Sequence, residues 1–236
     1  MRAVAVIIPA RNEEAALPAA LASVEAAARA VDLPVTTVVA CDSCSDRTAE
    51  VARAAGAHVV QTTSGCAGGA RSAAVAASLA LLPDVPQDKV WVASTDADSL
   101  VGVDWLTTHL SAAERGWDAY AGEILVPDWS GWHDAVSIVY ERRYRRPGRR
   151  PPVHGANLGV RLDAYLAVGG FPAVGSGEDQ LLVERLTFAG YGVLSSSVAP
   201  VHTSARRVAR ALGGFSGYLQ ALELEILPDR PAREIA

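Results

Sequence analysis

Stretches with no polar face limit what this chain can fold into. Ala3-Val-Ala-Val-Ile-Ile8, stopped by Pro9, is apolar at every position. A strand of that kind is buried on both sides, as in a sheet covered by helices on each face. Val90-Trp-Val-Ala93 repeats the pattern, Val35–Ala40 is a further strand, and Ala57–Thr62 is a short one. Helical segments alternate with these strands. Leu17, Leu21, Val24 and Ala28 give the first helix its buried stripe. Asn12 is placed to cap it, with Glu13 and Glu14 in its first turn. Thr48–Ala55 ends at Gly56, Gly65–Ala74 opens a helix closed by Pro83, and a fourth helix spans about Asp104 to Arg115. Alternating strand and helix in this order is a doubly wound α/β half.

The second half is less regular. Strands are expected at Asp118–Val126, His154–Arg161 and Tyr191–Ser195. Helices are expected at Trp132–Tyr144, Tyr165–Val168 and Gln180–Ala189, with a helical tail from Arg206 to Leu227 broken near Gly213-Gly214. With 236 residues, 50% of them hydrophobic, the chain suits one large domain rather than two. A net charge of −5 argues against general nucleic-acid binding. The three cysteines do not make a disulfide framework and point to a reducing cytoplasm. Cys41-x-x-Cys44 has no second ligand pair at zinc-finger spacing. The N-terminus reads directly as a strand, without the plan of a signal peptide. Arg71 and several small residues interrupt the most apolar long stretch, Cys66–Leu82, so no transmembrane segment is expected.

Chemistry concentrates after the strands. Asp96-Ala97-Asp98 follows the central apolar run. In an extended segment alternate side chains point the same way, so both carboxylates converge at the carboxyl end of the sheet, where open α/β folds bind ligands. Such a pair needs a positive partner, and hard oxygens suit Mg²⁺ or Mn²⁺ carrying a diphosphate. The same residues would also serve as an acidic turn capping the next helix. Cys41–Thr48 is a ligand-loop candidate in which Ser45 or Asp46 caps a helix. Arg71 reads as a solvent-facing arginine or as a diphosphate or base contact. Gly155 and Ala156 allow a ligand close to the backbone. Glu178-Asp179 reads as a helix cap or as a catalytic acid pair. Arg142–Arg150 holds six arginines in nine residues, either a solvated loop or a basic loop meeting an anion. No strand leads into G-x-G-x-x-G, and G-x-x-x-x-G-K-[S/T] is absent, which excludes a dinucleotide site and a P-loop.

The ordered series Ile7-Ile-Pro-Ala-Arg-Asn-Glu-Glu14, Asp42-Ser-x-Ser-Asp-x-Thr48, Gly69-Ala-Arg-Ser-Ala-Ala74, Asp96-Ala-Asp98, His154-Gly-Ala-Asn157 with Arg161 and Gly169-Gly-Phe171, and Glu178-Asp179 with Arg185-Leu-x-x-Ala-Gly-Tyr191 resembles family 2 glycosyltransferases over residues 3 to 205. The resemblance implies a GT-A fold: one Rossmann-like α/β/α domain with a mixed, mostly parallel sheet and a C-terminal helical tail. It implies a glycosyltransferase domain over 1–205, divided into a nucleotide-binding half (1–115) and an acceptor-binding half (116–205), with 206–236 as an extension. By that resemblance Pro9, Ala10, Arg11, Glu13, Asp42, Arg71, Asp96 and Ala97 frame the nucleotide, with Asp96 facing the ribose or sharing the metal. Asp98 and His202 hold a divalent cation, Mg²⁺ or Mn²⁺. His154, Gly155, Ala156 and Asn157 form the acceptor side, Asp179 is the general base, and Glu178 orients donor or acceptor.

A UDP-sugar is the first choice of donor, with GDP and TDP left open; a carboxylate such as Asp42 accepts a hydrogen bond from a uracil or guanine N–H, which explains an acid near a base. The acceptor is a hydroxyl, anionic if the arginine run meets it. The tail either covers the site or makes a homodimer. Cys44, and Ser72-Ala73 after Arg71, depart from the family pattern. The lack of a membrane hairpin argues against polymer extrusion. Two other functions remain open. A sugar-phosphate nucleotidyltransferase would need a glycine-rich N-terminal loop where Pro9-Ala-Arg-Asn-Glu13 stands. A non-catalytic nucleotide-sugar-binding module would not need the acids that are all present.

Overall fold

A computed structural model of the protein describes residues 1–144, 152–208 and 214–227. The first half runs β1 (Ala3–Ala10), α1 (Leu17–Ala28), β2 (Val35–Asp42), α2 (Thr48–Ala54), β3 (His58–Thr62), α3 (Ala67–Leu81), β4 (Val90–Ser94) and α4 (Trp105–Glu114). The second runs β5 (Ala119–Leu125), α5 (Asp134–Tyr144), β6 (Leu158–Arg161), α6 (Leu162–Ala167), α7 (Glu178–Phe188), β7 (Val193–His202) and α8 (Phe215–Ile226). One seven-stranded sheet has the order β3-β2-β1-β4-β6-β5-β7. β6 is antiparallel to both its neighbours, and every other pairing is parallel. The mixed, mostly parallel sheet is the expected one.

Strand alternation explains why β1 carries no polar residue. Val4, Val6 and Ile8 enter one apolar cluster with Leu17, Leu21 and Val24 of α1 and Trp105 and Leu106 of α4. Ala5 and Ile7 enter a second with Ala70, Ala74 and Val75 of α3 and Leu182 and Leu186 of α7. The sheet is thus buried between two helical layers. A third, smaller cluster joins Trp132, Val136 and Tyr140 to Ala205, Leu219 and Leu222 where α5 packs on α8. No described helix is long and apolar enough to cross a membrane.

Local expectations change at several points; the strand expected from His154 begins only at Leu158, and the helix expected at Tyr165–Val168 spans Leu162–Ala167. Asn12 does not cap α1, which begins at Leu17 with Pro18 in its first turn. Instead Asn12 adopts a left-handed φ of 55° and its Oδ1 accepts from Ser45 N at 2.8 Å, tying the loop after β1 to the loop after β2. β7 continues past Ser195 to His202; it lies at the sheet edge, where Pro200 is tolerated. The tail does not turn helical at Arg206: residues 203–208 are irregular, and α8 starts at Phe215. Of the arginine run, 145, 146, 149 and 150 lie outside the described residues. Arg143 is paired with Glu225 of α8 at 2.5 Å.

Candidate active site

A cleft of about 800 Å³ opens at the carboxyl ends of β1, β2 and β4. Parallel strands bring their following loops to one edge, so residues far apart in sequence meet there. Pro9 and Ala10 line it at the end of β1, Arg11 and Glu13 after it, and Asp42 at the end of β2. Asp96, Ala97 and Asp98 line it after β4. From the second half come His154, Gly155 and Ala156, followed by Glu178 and Asp179 at the start of α7.

Hydrogen bonds between loops fix the backbone that follows β1 and β2. Glu13 N donates to Thr48 Oγ1 at 2.7 Å, and Glu14 N donates to Asp46 Oδ2 at 3.0 Å. Asp46 Oδ1 also accepts from Thr48 N, but neither Ser45 nor Asp46 is the cap: α2 is preceded by Arg47, without a side-chain capping bond. The buried Asp42 accepts from Gly65 N at 3.2 Å.

The two carboxylates of Asp96-Ala97-Asp98 do reach the cleft, although not through strand pleating. β4 ends at Ser94, and a turn closed by Ser99 N donating to Asp96 O carries them. Each meets a different arginine. Asp96 Oδ1 is 2.6 Å from Arg71 Nη2. Arg71 is buried, donates from Nε to Ser94 Oγ at 3.1 Å, and pairs through Nη1 with Glu178. Burial opposes its charge, but Asp96, Glu178 and Asp179 outweigh that and hold its pKa above the ordinary value. Arg71 is therefore committed to bridging β4 and α7. Asp98 Oδ2 is 3.0 Å from Arg206 Nη1, which is also 2.8 Å from Glu13 Oε1. Burial pushes the Asp98 carboxyl up to about 6, against the pull of Arg206.

Asp179 sits half-buried at the mouth of α7. Its Oδ2 accepts from Gly155 N at 2.7 Å and its Oδ1 from Gln180 N at 2.8 Å. A carboxylate has about four acceptor sites, so lone pairs remain for an incoming hydroxyl. Beside it, the His154 ring stacks on Tyr144 with centroids 5.6 Å apart, and its buried Nε2 has no hydrogen-bond partner among the described residues. Burial lowers the His154 pKa, opposed by Asp179 and Asp96.

Two of the expected residues are placed elsewhere. Asn157 is fully buried and does not line the cleft. Its Nδ2 donates to Glu123 O at 2.9 Å and Ala199 O at 3.1 Å, and its Oδ1 accepts from Trp105 Nε1 at 2.9 Å. It clamps β5, β7 and α4 together. His202 is exposed, its backbone paired with Leu100, and the cleft is lined instead by Thr203, one alternation further on. Sequence reasoning missed Arg206 and an aromatic wall of Tyr140, Tyr144, Phe215 and Tyr218. The wall had a signal: aromatic residues are only 6% of the chain, yet these pairs stand at helical spacings of four and three.

The carboxylates fit a divalent cation in one way only. They are hard oxygen donors, but no cluster of three or more His, Cys, Asp or Glu side chains that could hold a metal occurs among the described residues. A divalent cation there would be held by Asp98 and would need further oxygen donors from outside the protein, which is usual for Mg²⁺.

Comparison with known proteins agrees with this geometry. The sequence pattern of the family described as Glycosyl transferase family 2 matches residues 5–162. No curated protein matches the chain. Among solved structures, S. aureus TarS 1-349 in complex with UDP-GlcNAc is 19% identical with a TM-score of 0.62, over 98% of this chain and 68% of that one. The mannosyltransferase PcManGT from Pyrobaculum calidifontis, in complex with GDP-Man and Mn²⁺, is 19% identical with a TM-score of 0.61, over 97% of this chain and 65% of that one. Glucosyl-3-phosphoglycerate synthase from Mycobacterium tuberculosis, in complex with Mn²⁺ and UDP-glucose, is 19% identical with a TM-score of 0.58, over 98% and 81%. The fold is that of GT-A glycosyltransferases.

Proposed function

Since the chain belongs to glycosyl transferase family 2, we propose that its cleft transfers a sugar from a nucleoside-diphosphate sugar to a hydroxyl acceptor, with Asp179 as general base and inversion at the anomeric carbon. One observation carries this reading. A single cleft gathers Glu13, Asp42, Asp96 and Asp98 from the donor-side loops and sets Asp179 in the same space, oriented by Gly155 N. Asp42 would accept a base N–H, with Pro9, Ala10 and Arg11 alongside the nucleoside. Asp98, with Asp96 beside it, would hold a divalent cation, which when bound neutralises charge on the departing diphosphate. Arg71 acts as a positioning residue, fixing Asp96 and Glu178 through its ion pairs. Asp179 takes the hydroxyl proton as the acceptor oxygen attacks. The acceptor lies against His154, Gly155, Ala156 and the aromatic wall, whose faces suit a ring.

The test is a thermal-shift panel of UDP, GDP and TDP, each with and without Mn²⁺, repeated on Asp98→Ala. A ligand that binds only the folded state raises the melting temperature by mass action. A shift with one nucleotide that needs both metal and Asp98 supports the reading and identifies the donor base. No shift with any nucleotide overturns it.

A further inference from the structure

No motif announced Arg206, and its position is unusual for a cation. Nη1 lies between two acids from different loops, 2.8 Å from Glu13 Oε1 and 3.0 Å from Asp98 Oδ2. The Glu13 side chain is 5% exposed and that of Asp98 14%. Two carboxylates this poorly hydrated need a positive neighbour. Arg71 cannot supply it, being committed to Asp96 and Glu178.

We propose that Arg206 holds the cation's place in the donor-free protein, so that a divalent metal enters the site only together with the nucleoside diphosphate. This rests on the donor-site reading above. A divalent cation on Asp98 and a guanidinium on the same carboxylate oxygen repel each other, so metal alone must displace an ion pair and leave Arg206 without its anions. Metal arriving with a diphosphate brings anionic oxygens that compensate the displaced guanidinium, for which phosphate is a matched partner. The two ligands then bind cooperatively, each raising the affinity of the other by the same factor.

The backbone around Arg206 is built for a side-chain movement rather than a loop movement. Thr203 Oγ1 accepts from Ser99 Oγ at 2.9 Å, and Ala205 O accepts from Trp132 Nε1. Arg207 turns the other way, with Cζ 4.3 Å from the Trp132 ring centroid and its guanidinium paired with Glu223. Anchors on both sides hold the segment, while the Arg206 side chain is 29% exposed and has solvent beside it to move into once its ion pairs are broken.

The experiment measures Mn²⁺ binding by electron paramagnetic resonance, without nucleotide and with UDP, GDP or TDP. It compares wild type, Arg206→Gln, Arg206→Met and Arg206→Lys, each checked for an intact thermal transition. The expected result is that Arg206→Gln and Arg206→Met bind Mn²⁺ alone at least about tenfold tighter than wild type. Arg206→Lys, which keeps the charge, stays near wild type. Adding Asp98→Asn to Arg206→Gln abolishes the gain. The nucleotide's enhancement of Mn²⁺ affinity shrinks in the neutral variants. Unchanged or weaker binding of Mn²⁺ alone in both neutral variants overturns the proposal. If wild type binds no Mn²⁺ with any of the three nucleotides, the metal-dependent donor site falls. The place-holding role then stands only if the neutral variants still gain Mn²⁺, and is overturned if they do not.

Discussion

Arg71 lies so close to Gly155 that a Cβ on residue 155 would overlap the guanidinium Cζ and Nη2. Glycine is needed there for close approach, since residue 155 sits in a 3-10 turn and not in the left-handed region. The contact joins both arms of the site. Arg71 holds Asp96 and Glu178, while the N–H of Gly155 holds Asp179.

Gly155→Ala should therefore misplace both arms at once. Overpacking of this kind costs about 1–3 kcal/mol, and displacement of a catalytic group by about 1 Å lowers turnover by about 10²-fold. Urea unfolding and single-turnover transfer measure the two effects. Wild-type kcat in this variant would separate Arg71 from the orientation of Asp179.

Asp179→Asn keeps an oxygen for one of the two backbone N–H groups but loses the basicity. Transfer should fall by about 10²–10⁴-fold, while nucleotide affinity by calorimetry stays near wild type. Undiminished turnover would remove Asp179 as the base.

Arg71→Met strips the counter-charge from a buried acid. Burial already pushes the Glu178 carboxyl up, against the pull of Arg71. Breaking a buried pair on one side costs about 3–5 kcal/mol. The double variant Arg71→Met/Glu178→Gln should recover part of that loss. Denaturant melts of the two single variants and the double variant decide it: strictly additive losses would mean that the pair is not coupled.

The folded protein should lose stability in mild acid through His109. This side chain is fully buried, and burial lowers its pKa to about 4, partly offset by its hydrogen bond to Asn157. Trp91 Nε1 donates to Nδ1, which leaves Nε2 as the protonated nitrogen facing Asn157 Oδ1 at 3.2 Å. Between about pH 4 and pH 6.5 the unfolded chain binds a proton that the folded one refuses. Stability from this group is therefore complete above pH 6.5 and is lost as pH falls toward 4, by up to about 3 kcal/mol. His109→Gln does not titrate, so the wild type's advantage over it should shrink between pH 7.5 and 4.5. A constant gap would show that His109 takes up its proton without penalty.

The sequence disclosed much of this architecture because the parallel core is local in its logic. An apolar run with no polar face, such as Ala3–Ile8, has few places to go, and the acids after such runs fall at one edge of the sheet. Asn157 and His202 show where that logic stops. Both follow a pattern of residue type and order, but their surroundings are set by pairings across the sheet. Asn157 is enclosed by Trp105, Glu123 and Ala199. The residue that follows β7, Thr203, lines the cleft in place of His202. Arg206 was illegible for a similar reason. Nothing local marks it, and it reaches Asp98 because β7 runs parallel to β5 and its end is bridged to Leu100 beside the acidic turn.

The third apolar cluster, under Tyr140 and Leu219, has its own buried residues and meets the first through the partly buried Tyr144 and Phe215. Rewriting α5 and α8 would reshape the wall proposed to meet the acceptor while the strands that present Asp42 and Asp98 keep their own support. Lineages descended from such a chain could change what they glycosylate by drift in two peripheral helices, without re-evolving the machinery that handles the donor.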